Sequence, residues 1–192
     1  SFVVPELFAG QNGTMNGFPT NGVFVPEKNR KLLGQRLNSV TDYVSFPTWT
    51  GNSDFDIIIR AYKDASTSNN RSRIMGHNTE SAFAIQIEVN FLEFYIYGFG
   101  ASNIDVRNYI GTLTIRLNRT GDVYTMTCDE VVGTASKTTT SSIALNLIGR
   151  AESSIEGYEG TVYSINISGG SHSAFYDFSA ESGRDITDIS GN

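Results

Sequence analysis

Along most of the chain apolar and polar positions alternate. That period of two belongs to strands with one face in a core and the other in water. In "FDIIIRAYK", Phe55, Ile57, Ile59 and Ala61 share one face, and Asp56, Ile58, Arg60 and Tyr62 share the other. In "FAIQIEV", Phe83, Ile85, Ile87 and Val89 oppose Ala84, Gln86 and Glu88. "LEFYIYG" sets Leu92, Phe94 and Ile96 against Glu93, Tyr95 and Tyr97. "GTLTIRL" sets Leu113, Ile115 and Leu117 against Thr112, Thr114 and Arg116. "VYTMTCD" turns Tyr124, Met126 and Cys128 inward, and "TVYSINI" turns Tyr163, Ile165 and Ile167 inward with Val162, Ser164 and Asn166 outward. The joints fit: "NRTGDV" reads as a hairpin turn at Gly121, and Asn90 sits at a second. "DASTSNNRSR" and "VGTASKTTTSS" read as polar loops, and Trp49 falls in a loop after "YVSFP". The one helical candidate is "PEKNRKLLGQRL", with Leu32, Leu33 and Leu37 interrupted by Gly34. Many short strands without αβ alternation predict an all-β, two-sheet antiparallel sandwich.

The order of these pieces resembles the laminin-G-like branch of the concanavalin A-like lectin/glucanase jelly rolls, as found in bacterial surface and phage tail proteins. "GQNGTMNGF" is similar to the family's glycine-rich opening, and "LLGQRLNSVTDYVSFP" to its segment leading into a D-Y-V strand. "FDIIIRAYK" and "RIMGH" correspond to its next strands, "GTLTIRLNRTGDVYTMTCDEVVG" to its central hairpin, and "LNLIGRA" with "YEGTVYSINIS" to its closing pair. The Trp-His pair that often starts that hairpin is replaced here by "NYIGTL". The resemblance implies one module over residues 1–175. Residues 176–192, "YDFSAESGRDITDISGN", then form a terminal strand and a tail. The tail either opens a following module or packs back on the N-terminus.

Composition narrows the function classes. A chain of 192 residues buries roughly 70% of its unfolded surface without staples, and with Cys128 alone it has no intrachain disulfide. The net charge is -6 and no Lys/Arg run occurs, which speaks against nucleic acid as a partner. No apolar run approaches the roughly 20 residues of a membrane span, and no basic-then-apolar leader opens the sequence.

Retaining glycosidases set two carboxyl groups roughly 5–5.5 Å apart, which a strand of alternating acids supplies. No such strand is present: Glu88 and Glu93 flank a hairpin, and Glu156 and Glu159 lie in a loop. His77 and His172 have no triad spacing, and Cys128 alternates with core residues. Sugar sites pair an aromatic face with amides, carboxylates or Arg. Arg60, Tyr62, Gln86, Glu88, Tyr95 and Tyr97, with Glu93, make such an outward set if their strands are neighbours, and Trp49 is a rival platform in a loop. Calcium is compatible with the fold, with Asp42, Asp122, Asp185 and Asp188 as oxygen donors, although each also suits a turn.

The resemblance, together with the acidic wet sheet faces and the missing carboxylate strand, implies a non-catalytic carbohydrate-recognition module of a larger extracellular or virion-surface protein. Its partners would be a cell-surface glycan and the neighbouring modules of the same assembly. The alternative is a structural spacer or protein-interaction domain, and a glycan-cleaving enzyme stands third.

Overall fold

A computed structural model describes residues 2–4, 13–16, 35–37, 43–63, 71–78, 83–88, 91–96, 101–150, 157–158, 160–178 and 187–188. Among them there are strands and no helix. In chain order these are β1 (Phe2–Val4), β2 (Gly13–Asn16), β3 (Gln35–Leu37), β4 (Tyr43–Gly51), β5 (Phe55–Lys63), β6 (Arg71–Gly76), β7 (Phe83–Glu88) and β8 (Phe91–Ile96). There follow β9 (Ala101–Asp105), β10 (Gly111–Thr120), β11 (Val123–Cys128), β12 (Thr134–Thr138), β13 (Ile143–Ile148), β14 (Gly160–Gly169), β15 (Ala174–Asp177) and β16 (Thr187–Asp188).

They form two antiparallel sheets. Sheet A runs β1-β2-β4-β13-β6-β7-β8-β9, and sheet B runs β12-β11-β10-β5-β14-β15-β16, with β3 added to β14. The architecture is the expected all-β sandwich of the jelly-roll type. Its core is the set of inward positions read from the alternation: Phe55, Ile57, Ile59 and Ala61 of β5 are all buried, as are Ile85 and Ile87 of β7 and Leu113, Ile115 and Leu117 of β10. Each Phe, Ile or Leu among them contributes roughly 1.5–3 kcal/mol when removed from water. An aromatic series ties the sheets together. Trp49 meets Phe55 edge-on at 5.0 Å, Phe55 meets Tyr124 at 5.8 Å, and Tyr124 stacks with Phe94 at 6.4 Å.

The β10–β11 hairpin turns where expected. Thr120 pairs with Val123 across a two-residue turn, and Gly121 adopts φ 58°, a left-handed conformation that glycine takes without a Cβ penalty. The longer Thr/Ser segment is part strand, since β12 pairs with β11 before the chain leaves the sheet.

Three expectations need correction. Trp49 is on β4, not in a loop, and is fully buried. Its Nε1–H donates to the carbonyls of Gly169 at 3.1 Å and His172 at 2.9 Å, so the β14–β15 turn of sheet B is fastened to a strand of sheet A. Tyr163 does not continue the inward face of Ile165 and Ile167. A register shift lies between Val162 and Ser164, and Val162 takes the position opposite Ala61. That leaves Tyr163 on the bulge, with the Arg60 guanidinium 6.0 Å from its ring centroid. The end of the helical candidate, Gln35–Leu37, is strand β3 paired to β14; the rest of that segment lies outside the described residues. At the other terminus β15 runs across position 175, Tyr176 and Phe178 are core residues, and β16 pairs with β15.

Candidate functional site

On β7 the two faces differ in chemistry but not in exposure. Ile85 and Ile87 enter the sandwich core, while Gln86, between them on the outer face, is 3% exposed. The register places Gln86 beside Arg73 of β6, which is 6% exposed. Gln86 also pairs with position 93 of β8, and position 93 pairs with Asn103 of β9. One row, Arg73–Gln86–Glu93–Asn103, therefore crosses four strands. The adjacent row is Gly76–Ala84–Tyr95–Ala101, and its first two residues are small and buried. A third row holds Arg71, Glu88, Phe91 and Asp105.

An outer sheet face normally mixes exposed polar groups. Here a guanidinium and a primary amide are withdrawn from solvent without joining the apolar core. Burying them costs several kcal/mol unless they are hydrogen-bonded, so this is a polar floor and not a second apolar layer. Next to it, the amides of Asn78 and Asn146 are joined: Asn146 Nδ2 donates to Asn78 Oδ1, and Asn146 Oδ1 accepts from the Asn78 backbone N–H, both at 2.8 Å. That pair fixes the exit of β6 against β13.

The outward set expected from the sequence is divided between the sheets. Gln86, Glu88 and Tyr95 lie on adjacent strands of sheet A. Arg60 and Tyr62 lie on β5, between β10 and β14 in sheet B, so they cannot join the same patch. Trp49, at 0% exposure, offers no face to a sugar. Tyr97 lies outside the described residues. Arg73 and Asn103 are not in that outward set: "RSRIMG" carries no alternation, and its first three residues close the polar stretch "DASTSNNRSR". The signal available was the arginine inside a short strand.

Other titratable groups have structural surroundings. Burial pushes the Cys128 thiol up to about 11, which suits a small core residue and not a nucleophile. Tyr124 is also raised by burial, and its hydroxyl donates to the Ser141 carbonyl at 2.6 Å. His172 Nδ1 lies 3.1 Å from Ser171 Oγ, and that Oγ accepts from the Thr50 N–H. Asp122 is exposed beside Arg119, at 3.7 Å, and Asp188 lies in β16. Among the described residues no three His, Cys, Asp or Glu side chains are grouped to hold a metal ion; Asp42 and Asp185 fall outside them.

No family model matches the chain, and no curated protein does. Solved structures do. An alginate lyase of polysaccharide lyase family 7 superposes with a TM-score of 0.51 at 10% identity, over 86% of this chain and 92% of the lyase. A Trypanosoma rangeli sialidase mutant displaying trans-sialidase activity gives 0.59 at 13% identity, over 86% of this chain and 30% of its own. Tailspike protein 2 from an Escherichia coli bacteriophage gives 0.58 at 11% identity, over 94% of this chain and 27% of its own. These likenesses show the fold, a two-sheet jelly-roll sandwich.

They also overturn the expectation of a non-catalytic recognition module. The similar structures are in the main named as glycan-cleaving enzymes, and one of the superposed tailspike structures is described as an enzymatically active domain. Paired carboxylates are a requirement of retaining hydrolysis, and two of the similar structures are named as alginate lyases, to which that requirement does not apply.

Proposed function

We propose that this chain is the glycan-cleaving β-sandwich domain of an extracellular or virion-associated protein, with its substrate lying on the outer face of sheet A across β6–β9. The observation that carries the reading is the polar floor made by Arg73 and Gln86, both withdrawn from bulk water on a face that does not belong to the core. A guanidinium offers a planar fork of donors suited to a carboxylate or sulfate, and in a low-dielectric floor that preference is strengthened. Gln86 adds a donor and an acceptor, and the register puts Glu93 in the same row and Tyr95 in the adjacent one. The substrate class is accordingly an acidic polysaccharide. Within the sandwich class we read the chain as laminin-G-like, supported by the central hairpin β10–β11 and the closing strands β13 and β14.

The test is turnover. The protein is incubated with alginate, polygalacturonate, polysialic acid and bacterial capsular polysaccharide, and new reducing ends and the ultraviolet absorbance of unsaturated uronates are followed. Cleavage of one of them is expected, with a loss of at least ~10²-fold in Gln86→Ala and Arg73→Lys. Circular dichroism checks that both variants fold. Absence of turnover on every acidic polymer, or full activity in both variants, refutes the reading.

A further inference from the structure

Beyond the polar floor, sheet A ends at β9, and the chain continues through a short loop into β10. There a cleft of about 460 Å³ opens between this loop and the β11–β12 connection. Asp105, Asn108, Tyr109, Glu130, Val131 and Val132 are among its lining residues. The volume lies within the range of roughly 300–1,000 Å³ typical of small-ligand sites.

Its groups are held in place. Tyr109 is fixed at three points: its hydroxyl donates to the Thr112 carbonyl at 2.6 Å, its N–H donates to the Val106 carbonyl at 3.2 Å, and its own carbonyl accepts from the buried Lys63 Nζ at 3.0 Å. Glu130 is held by Thr114, whose N–H donates to Oε2 at 2.6 Å and whose Oγ1 donates to Oε1 at 2.7 Å. Asp105 is engaged by Arg107, which donates from its backbone N and from Nε, each at 3.0 Å to Oδ1. The same guanidinium lies 5.5 Å from the centroid of the Phe91 ring. Preorganisation of this kind removes ordering cost on binding.

The chemistry selects the ligand. Arg107 offsets the charge of Asp105, and the Glu130 carboxylate leaves the cleft acidic, which disfavours an anionic sugar. Glu130 Oε1 accepts from Thr114 Oγ1 and has room for another donor, since each carboxylate oxygen accepts about two. Asn108 is exposed and supplies an amide. Val132 is fully exposed, and beside it Val131 packs on the core. Apolar side chains and a fixed tyrosine lining one cleft with an amide and a carboxylate match a pyranose, whose C–H face is apolar and whose rim is hydroxyl. We propose that this cleft is a second, neutral-sugar binding site at the β9 edge, separate from the polar floor on β6 and β7.

The test uses affinity electrophoresis of the whole chain in gels containing galactomannan, dextran or xyloglucan. Retardation by at least one of these neutral polysaccharides is expected. Asn108→Ala and Val132→Asp change exposed residues outside the core, and each is expected to weaken that retardation at least tenfold in apparent Kd. Gln86→Ala is expected to leave it unchanged, which separates this site from the polar floor whatever that floor's activity. No retardation of the parent protein in any of the three gels overturns the proposal. So does unaltered retardation in both cleft variants, and so does loss in Gln86→Ala, which places the neutral sugar on the sheet face.

Discussion

Replacing Trp49 by Phe tests how the two sheets are joined. The indole Nε1–H is shared between the carbonyls of Gly169 and His172, at 3.1 and 2.9 Å, and its ring meets Phe55 edge-on. Phenylalanine keeps the edge contact in part and removes the donor. Losing the donor costs about 1–3 kcal/mol, because acceptors in a part-buried site lose their partner. The smaller ring leaves roughly 40 Å³ unfilled, and at about 24 cal/mol per Å³ that adds about 1 kcal/mol. The sum is about 2–4 kcal/mol. For a chain of this size each kcal/mol moves Tm by roughly 2–4 °C, so a fall of about 6–12 °C corresponds to the middle of that range. The assay is urea unfolding followed by far-ultraviolet circular dichroism, which does not depend on the single tryptophan. The midpoint should fall with the slope m unchanged. In the parent protein, tryptophan emission should be blue-shifted when folded and move to the red on unfolding. A loss below about 0.5 kcal/mol, or red emission from the folded protein, would refute the packing argued here.

Gly170→Ala places a Cβ 2.5 Å from Trp49 at φ +64°, so strain and overpacking should together cost about 2–4 kcal/mol in the same urea assay; a neutral result would show that the turn can move. Cys128 should resist a thiol reagent at pH 8 in the folded protein and react fully in denaturant, and rapid stoichiometric labelling of the native state would contradict its burial. Because burial raises that thiol from 9.0 to about 11, the folded state keeps its proton where the unfolded state loses it. Stability is therefore whole below pH 9.0 and declines between there and about pH 11, a decline that Cys128→Ala should reduce in pH-dependent unfolding. The Arg116 Nε–Asp56 Oδ1 pair at 2.7 Å is half in solvent, and a double-mutant cycle should give a coupling below about 1 kcal/mol that shrinks with salt.

The alternation named the inward residues of β5, β7, β10 and β11 because a side chain's face depends only on its own strand. Neighbour order does not. Nothing in "FDIIIRAYK" indicates that β5 pairs with β10 and β14 while β7 pairs with β6 and β8. That is why Arg60 and Tyr62 were grouped with Gln86, Glu88 and Tyr95. Trp49 was misplaced for a related reason. Polar Thr48 and Thr50 flank it, as in a loop, and the partners that hold it lie about 120 residues away. Tyr163 was assigned inward because a bulge adds one residue without changing the residue types around it. The polar floor escaped notice because Gln86 reads as an ordinary outward residue. Its burial comes from the assembled sheet and not from its own strand.

The pairing of β5 with β14 also has a consequence for how the molecule is made. Residues 55–63 form the middle of sheet B with residues 160–169, about 100 positions further on. Contacts this remote demand loop closure before they return any stabilisation, which places the chain among slow, milliseconds-to-seconds folders. On a ribosome adding about 5–20 residues per second, β5 emerges roughly 5–20 s before its partner exists. During that interval β10 can shield one side of it, while the other presents the unpaired backbone of an isoleucine-rich strand. Chains halted before residue 160 should accordingly gather on chaperones or aggregate, whereas those released after β14 should not.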